Sequence, residues 1–350
     1  MDKNTGYLSS LWLLRTPDGL ARRQHSSADD DDGWLFDQPG FSPYKIDAIA
    51  KILPSKALRR LKDKAAVISF PANYHIRDRH FHTLEVTETA VILAHLLGLN
   101  ADLCEAIAYG HDLGHPPFGH VGERFLGKTT GQDFRHEVFS VIIAQQIERQ
   151  GRGLNLTHQV LSGILYHSRR FDDPIPDNAA SPEGNLVMYA DKIGYIWLDV
   201  EDVFSRTGLK LDDYPEIKKI VNWFGKNQRE RHKVCLEALC RESVEKTAVV
   251  FNDSEEAQNF FRLKKLMGPI YRQFDFPQPW MLEKVYEFLA KTERDVHPAI
   301  VFALLTEHEV VRLARTPSLM PHELESLSAA EVLPYLRTQN IDFTKPDLDW

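Results

Sequence analysis

Strand-like alternation of apolar and polar residues is almost absent from this 350-residue chain, while helical spacing recurs along most of it. Val86, Ala90, Leu93 and Leu97 share one helical face, and Gly98 stands where that helix should end. A second helix is expected from about Ala101 into His111, stopped by Pro116-Pro117. An earlier one is expected from about Pro43 to Lys64. Ser69-Phe-Pro-Ala-Asn73 then breaks the pattern, because proline pushes its predecessor out of helical geometry. Further helices are expected at roughly 134–149, 156–168 and 184–205, and the pattern stays helical beyond residue 210. Asp253 with Glu256 resembles a capping box, and Phe276-Pro-Gln-Pro279 separates two helices. The fold class that follows is all-α. Residues 40–205 are expected to form a core and 206–350 a helical extension packed on it. Segment 1–39 is expected to be partly mobile, with the charge-blocked run Ser26 to Asp32 as a loop. A second loop, rich in Asp and Pro, spans Asp172 to Pro182.

Composition narrows the function classes. No apolar run approaches the length of a membrane span, and the first residues lack a signal-peptide core, so a cytoplasmic protein without a membrane partner is expected. Cys104, Cys235 and Cys240 form no CxxC pair, which argues against a disulfide framework or zinc knuckle and for buried small hydrophobes. A net charge of −8 disfavours nucleic acid as a partner without excluding it. Arg22-Arg23 is a local basic run and reads as a solvated face. Arg59 and Arg60, with Lys62 and Lys64, read as surface or interface residues, with phosphate contact as the rival role.

The chemistry concentrates in Tyr109-Gly-His-Asp-Leu-Gly-His-Pro-Pro-Phe-Gly-His120. Eight of the 15 histidines fall between His75 and His136, a crowding that scattered surface histidines would not show. The adjacent His111-Asp112 pair offers a neutral nitrogen and an anionic oxygen to one cation. That donor set suits a catalytic divalent metal better than a closed structural zinc. His82 in Arg79-His-Phe-His-Thr83 and Asp191 on a later helix can complete a set drawn from three helices. Two imidazoles and two carboxylates leave positions open for water and a phosphate oxygen. Asp191, Tyr195 and Asp199 are spaced i, i+4, i+8 and so line one helix face. Lys192 lies about 100° round that helix, so its stem must reach back. His120 and Glu123, at i and i+3, pair an imidazole with a carboxylate that stabilises imidazolium, the form needed for a general acid.

This order of ligands, with the thirteen-residue block HDLGHPPFGHVGE, resembles the HD-domain metal phosphohydrolases. Within them it is most similar to the dGTPase-like deoxynucleoside triphosphate triphosphohydrolases, over about residues 55–205. The resemblance implies hydrolysis of a deoxynucleoside triphosphate to deoxynucleoside and inorganic triphosphate. It implies one divalent ion (Mn, Mg, Co, Fe or Ni) on His82, His111, Asp112 and Asp191. Arg79, in an Arg-x-x-His-Ser/Thr element, would contact substrate phosphate. His115, His120 and Glu123 would flank the reacting phosphate, and His136, in Arg135-His-Glu137, would lie near the phosphates. His120, backed by Glu123, would protonate the leaving 5′-oxygen. Asp191-Lys-Ile-Gly-Tyr195 followed by Asp199 resembles an Asp-Lys-x-x-Tyr-x-x-x-Asp arrangement of mammalian relatives. There Lys192 and Tyr195 would hold phosphate oxygens and Asp199 the deoxyribose 3′-hydroxyl. A homo-oligomer and a nucleotide effector are implied by analogy. Two positions depart from the pattern: Ala66 stands where many relatives carry a sugar-touching glutamine, and Asp191-Lys192 where bacterial members often have Asp-Asp. No base-reading residue matches.

Other readings compete. The four ligands could form a buried polar network without metal, and His115, His120, Glu123 and His136 could merely support the ligands. Tyr195 could be a core aromatic and Lys192 a solvent-facing charge. His75, His80 and His95 read as surface or satisfied core histidines. At the level of function the rivals are an HD phosphohydrolase acting on nucleoside monophosphates or a second messenger, and a nucleotide-sensing or nucleic-acid-binding module. Hydrolases of guanosine tetraphosphate carry an acidic pair where this chain has Gly114-His-Pro-Pro.

Overall fold

The computed structural model describes residues 11–25, 40–168 and 181–350. The Ser26 to Asp32 run and most of the Asp172 to Pro182 loop lie outside the described residues. Within them the all-α expectation holds: pairing of extended backbone is limited to isolated bridges, Arg23 with Thr157 and Ala65 with Asp78. No helix among the described residues is long and apolar enough to cross a membrane.

The first stretch corrects one expected element. Instead of one helix from Pro43 to Lys64, α1 (Pro43–Ile46) widens into a π-wound stretch (Asp47–Ile52) and stops before Pro54. Proline has no N–H to continue the ladder. Ser55 then caps a new helix, α2 (Lys56–Arg60), its hydroxyl accepting from the Leu58 N–H at 3.2 Å. Arg59 is exposed as expected, but Arg60 is buried, with its guanidinium 3.6 Å from Glu148. The cause is α2's amphipathic spacing, which turns Arg60 inward with Ala57 and Leu58.

Helix α3 (Arg79–Leu97) begins at Asp78, whose carboxylate accepts from the Phe81 N–H at 2.7 Å. It ends at Gly98 in the left-handed conformation, φ 74°, which costs glycine least. Its expected stripe of Val86, Ala90, Leu93 and Leu97 is fully buried. Helix α4 (Ala101–Gly110), capped by Asn100, packs along α3. Then come α5 (His120–Thr130), α6 (His136–Ile142), α7 (His158–Tyr166) and α8 (Pro182–Arg206), which lies across α3, α4 and α7. Small residues bring α4 and α7 close. A Cβ on Gly110 would stand 2.3 Å from Ile164, and one on Gly163 2.3 Å from Ile107.

The C-terminal part contributes α9 (Pro215–Phe224), α10 (Gln228–Lys246), α11 (Glu255–Tyr271), α12 (Pro279–Thr292), α13 (Pro298–Ala303) and α14 (Glu307–Arg315). The expected capping box at Asp253 and Glu256 is not there: Ser254 caps α11, and Asp253 pairs with Lys246 at 2.9 Å. The Glu242 carboxylate causes this, gathering the Asn252, Asp253 and Ser254 N–H groups. A capping box does open α14, between Thr306 and Glu309. All three cysteines are buried and free.

One contiguous apolar core joins both parts, from Leu11 to Phe343. Two buried polar side chains fasten the C-terminal helices to the loops ahead of α3 and α5. Lys64 donates to the carbonyls of His115 and Ala303, the latter at 3.1 Å. Glu307 accepts from the N–H groups of Ala65 at 2.7 Å and Phe118 at 3.1 Å.

Candidate functional site

His111 closes α4 as its C-terminal cap. Its Nδ1 donates to the Ala108 carbonyl at 2.6 Å, one of the orphan carbonyls that any helix end leaves. Because a carbonyl can only accept, Nδ1 carries the proton and Nε2 is left with a bare lone pair. That Nε2 is buried and, among the described residues, has no hydrogen-bond partner. Two carboxylate oxygens face it, Asp112 Oδ2 at 3.5 Å and Asp191 Oδ1 at 4.0 Å. His82, in the first turn of α3, meets Asp191 Oδ1 with its Nε2 at 3.0 Å. Ligand atoms of His82, His111 and Asp112 all lie within 4.8 Å of one another. The bare His111 lone pair facing two carboxylates, each also touched by one neighbour, Arg79 or His82, is a donor set that fits a divalent cation, so these residues could hold a metal.

Electrostatics keep both carboxylates charged. Burial alone would raise Asp112, but His111, Arg79 and His115 outweigh it and hold it well below the usual carboxylate range. Arg79 Nη1 donates to Asp112 Oδ2 at 2.5 Å. Burial also opposes ionisation of Asp191, and the hydrogen bond with the His82 imidazole holds its carboxyl low.

A second cluster lies on the other side of Asp112. His115 Nε2 is 3.2 Å from Asp112 Oδ1, and its ring stacks on His136 at 3.8 Å. Burial, Arg79 and His136 push His115 well below the usual imidazole range. His136 behaves oppositely. Burial works against its charge, yet Glu123, Glu137 and Asp112 hold its pKa up at about 9. Glu123 is the hub here: Oε1 accepts from the backbone N–H and Nδ1 of His136, both at 2.8 Å, and Oε2 from Nδ1 of the exposed His120 at 2.5 Å. The spacing of Glu123 from His120 was legible in the sequence; its second imidazole was not.

His167 also went unnoticed in the sequence. It caps α7 as His111 caps α4, Nδ1 donating to the Ile164 carbonyl at 2.7 Å. Its Nε2 stands 3.4 Å from His136 Nε2 and its ring 5.0 Å from His111. Burial, then the nearby His111 and His136, lower its pKa to about 3, so it is neutral. A histidine closing an apolar helix, as at His111, was the signal available.

Both clusters open on a cavity of about 480 Å³. Arg79, His82, Asp112, His115, His120 and His136 line it. So does the α8 face of Asp191, Lys192, Tyr195 and Asp199, together with Ala66. His111 and Glu123 stand behind the lining. Lys192 is buried, so its stem does reach back toward the cavity rather than into solvent. Lys264 and Tyr271 of α11 complete the wall, although no motif marks them; Lys264 Nζ lies 5.9 Å from the Tyr195 ring centroid. The Tyr271 hydroxyl is buried against Asp199 without a well-formed hydrogen bond among the described residues. A larger cavity of about 630 Å³, beside Gln145, Arg152 and Asn155, contains none of these groups. His75 and His95 are exposed and His80 is half-buried, all outside the cavity lining.

Residues 79–195 match the HD domain family. A deoxyguanosinetriphosphate triphosphohydrolase-like protein of Clostridium tetani is 39% identical over 197 residues, 56% of this chain and 55% of that protein. One of Caldanaerobacter subterraneus is 36% identical over 249 residues, 71% of this chain and 66% of that protein. One of Clostridium perfringens is 44% identical over 181 residues, 52% of each. The chain thus spans about half to two thirds of the length of these curated relatives. The family match covers the helices that bring His82, His111, Asp112 and Asp191 together, and the relatives match over longer stretches: this chain belongs to the HD-domain hydrolase family, among its dGTPase-like members.

Proposed function

We propose that the chain hydrolyses deoxynucleoside triphosphates to deoxynucleoside and inorganic triphosphate, using one divalent ion on His82, His111, Asp112 and Asp191. The observation that carries this reading is the bare, buried Nε2 of His111, facing two carboxylates at one end of a cavity long enough to continue past Lys192, Tyr195 and Asp199. Bound there, the ion would neutralise phosphate charge and activate water for in-line attack at the α-phosphorus.

The chain's own residues do the rest. Arg79 steadies Asp112 through Nη1 and keeps Nε, which has no partner among the described residues, for a phosphate oxygen. His115, Lys192 and Tyr195 offer donors to the other phosphate oxygens, and cationic His136 adds positive charge beside them. Asp199 accepts the sugar 3′-hydroxyl. His120 gives its proton to the leaving 5′-oxygen, and Glu123 stabilises the imidazolium that must form first. Residues 40–205 serve as the catalytic core. The extension, 206–350, closes the cavity, as the presence of Lys264 and Tyr271 in its wall supports. A cytoplasmic homo-oligomer that responds to a nucleotide effector is carried forward on the family resemblance alone.

The test is product analysis in ¹⁸O-water, with each of the four dNTPs and Mn²⁺, Mg²⁺ or Co²⁺. Label in inorganic triphosphate is expected. Label confined to orthophosphate or pyrophosphate would mean attack elsewhere on the chain of phosphates. Binding of nucleotide and metal without turnover would favour a sensing module.

A further inference from the structure

We propose that Arg77, which does not line the cavity, is a positioning residue that acts on the ligand through Asp199. The proposal rests on the reading of Asp199 as the acceptor of the sugar hydroxyl.

Arg77 lies just before α3 and is 6% exposed. Each guanidinium nitrogen is committed to a different carboxylate. Nη2 donates to Asp199 Oδ1 at 2.7 Å, Nε to Asp202 Oδ2 at 3.0 Å, and Nη1 to Glu85 Oε2 at 3.0 Å. Asp202 is itself held by Arg206 at 2.7 Å, and Glu85 sits on α3. The planar fork is therefore pinned on two sides, and its third arm sets the rotamer of Asp199. Asp199 lines the cavity; Arg77, Glu85 and Asp202 do not. With Oδ1 taken from behind, Oδ2 is the oxygen left for a ligand. The buried Tyr271 hydroxyl stands beside Asp199 and lines the same end of the cavity, so two polar groups meet there in a niche suited to a hydroxyl group. Removing Arg77 would leave Asp199 and Asp202, two buried carboxylates three residues apart on α8, without their shared cation. The carboxylate would then turn away or take up a proton and lose its set direction.

The alternative is that Arg77 only staples the entry of α3 to α8. Kinetics on the metal-loaded full chain separate the two. The substrates are the best-turned-over dNTP and its 2′,3′-dideoxy counterpart, which lacks the 3′-hydroxyl. Arg77→Gln should cut kcat/KM for the dNTP by roughly 10–100-fold, as loss of an orienting partner does, while the dideoxy substrate changes by less than about threefold. Asp199→Asn should show the same selectivity. The double variant should be no worse than the worse single one, because both remove one interaction. Arg77→Lys keeps the charge but not the fork, and should fall between wild type and Arg77→Gln; it also serves if the glutamine variant does not fold. Equal losses on both substrates, with metal content unchanged, would reduce Arg77 to a staple and overturn the proposal. So would a wild-type chain that treats the two substrates alike. If the wild-type chain turns over neither nucleotide, the proposed activity fails by itself. Calorimetric binding of a deoxynucleoside against its 3′-deoxy analogue then decides the Arg77 question, with equal affinities overturning it.

Discussion

Two histidine clusters flank Asp112 and treat the same residue type in opposite ways. On the α3–α8 side, the bare Nε2 of His111 faces the carboxylates of Asp112 and Asp191 and, among the described residues, meets no donor. On the α5–α6 side, Glu123 pairs with both His120 and His136. The first arrangement is unfinished without a cation. The second already pairs one carboxylate with two imidazoles and trades in protons. Imidazole is the same group in both; what differs is whether the neighbouring oxygen leaves it a proton to hold or only a lone pair to offer.

The largest expected effect tests the cation side. His111→Ala or Asp112→Ala should abolish stoichiometric metal binding and lower kcat by roughly 10⁴-fold or more, since a catalytic ion is worth several kcal/mol. Metal analysis by mass spectrometry on the purified variants checks it. A fully loaded, active Asp112→Ala protein would break the contrast outright.

On the proton side, His120→Ala should keep its metal and lose about 10²–10⁴-fold in kcat. Glu123→Gln should lose about 10–100-fold. The informative protein is the His120→Ala, Glu123→Gln double variant. If Glu123 also serves His136, the double must be slower than His120→Ala alone. Equal rates would confine Glu123 to His120 and undo the picture of a shared hub.

The smallest effect sharpens the contrast by asking what holds both clusters in register. Glu307 reaches from α14 to the Ala65 and Phe118 N–H groups, and Phe118 lies in the turn between His115 and His120. Glu307→Ala leaves the buried Phe118 N–H and the half-buried Ala65 N–H unmatched and should cost about 2–4 kcal/mol in denaturant unfolding. Glu307→Gln keeps an acceptor and should cost little. Its pH dependence has a definite sign. Burial holds the Glu307 carboxyl above its ordinary range, although the Ala65 N–H, the Ser69 hydroxyl and the Phe118 N–H pull it back. The stability it contributes is therefore complete below the unfolded glutamate value, about 4.3, and is lost as pH rises through the folded value. The glutamine variant lacks that loss, so it should gain on wild type between pH 4 and neutrality. A gap that widened toward acid instead would contradict the assignment.

Local chemistry made much of the core readable. The α3 stripe and its glycine stop, the metal-type donors in HDLGHPPFGH, and the i, i+4, i+8 face of Asp191, Tyr195 and Asp199 all depend on neighbours within a few turns. Where a long-range partner competed, local reading failed. Arg60 turned inward beside Glu148, and Glu242 took over the entry of α11 that Asp253 was expected to cap.

By itself, then, the sequence determined an all-helical chain and the donor types gathered around one cavity, because helical period and ligand chemistry are properties of short segments. Only the tertiary structure decided which nitrogen of His111 is bare, that Glu123 serves two imidazoles, that His167 faces His136, and that Arg77 holds Asp199 from behind. Those outcomes pair atoms 13 to 122 positions apart, or depend on which carbonyl a helix end leaves unmatched. Packing of an apolar core chooses such pairs, and no periodicity in the chain encodes them.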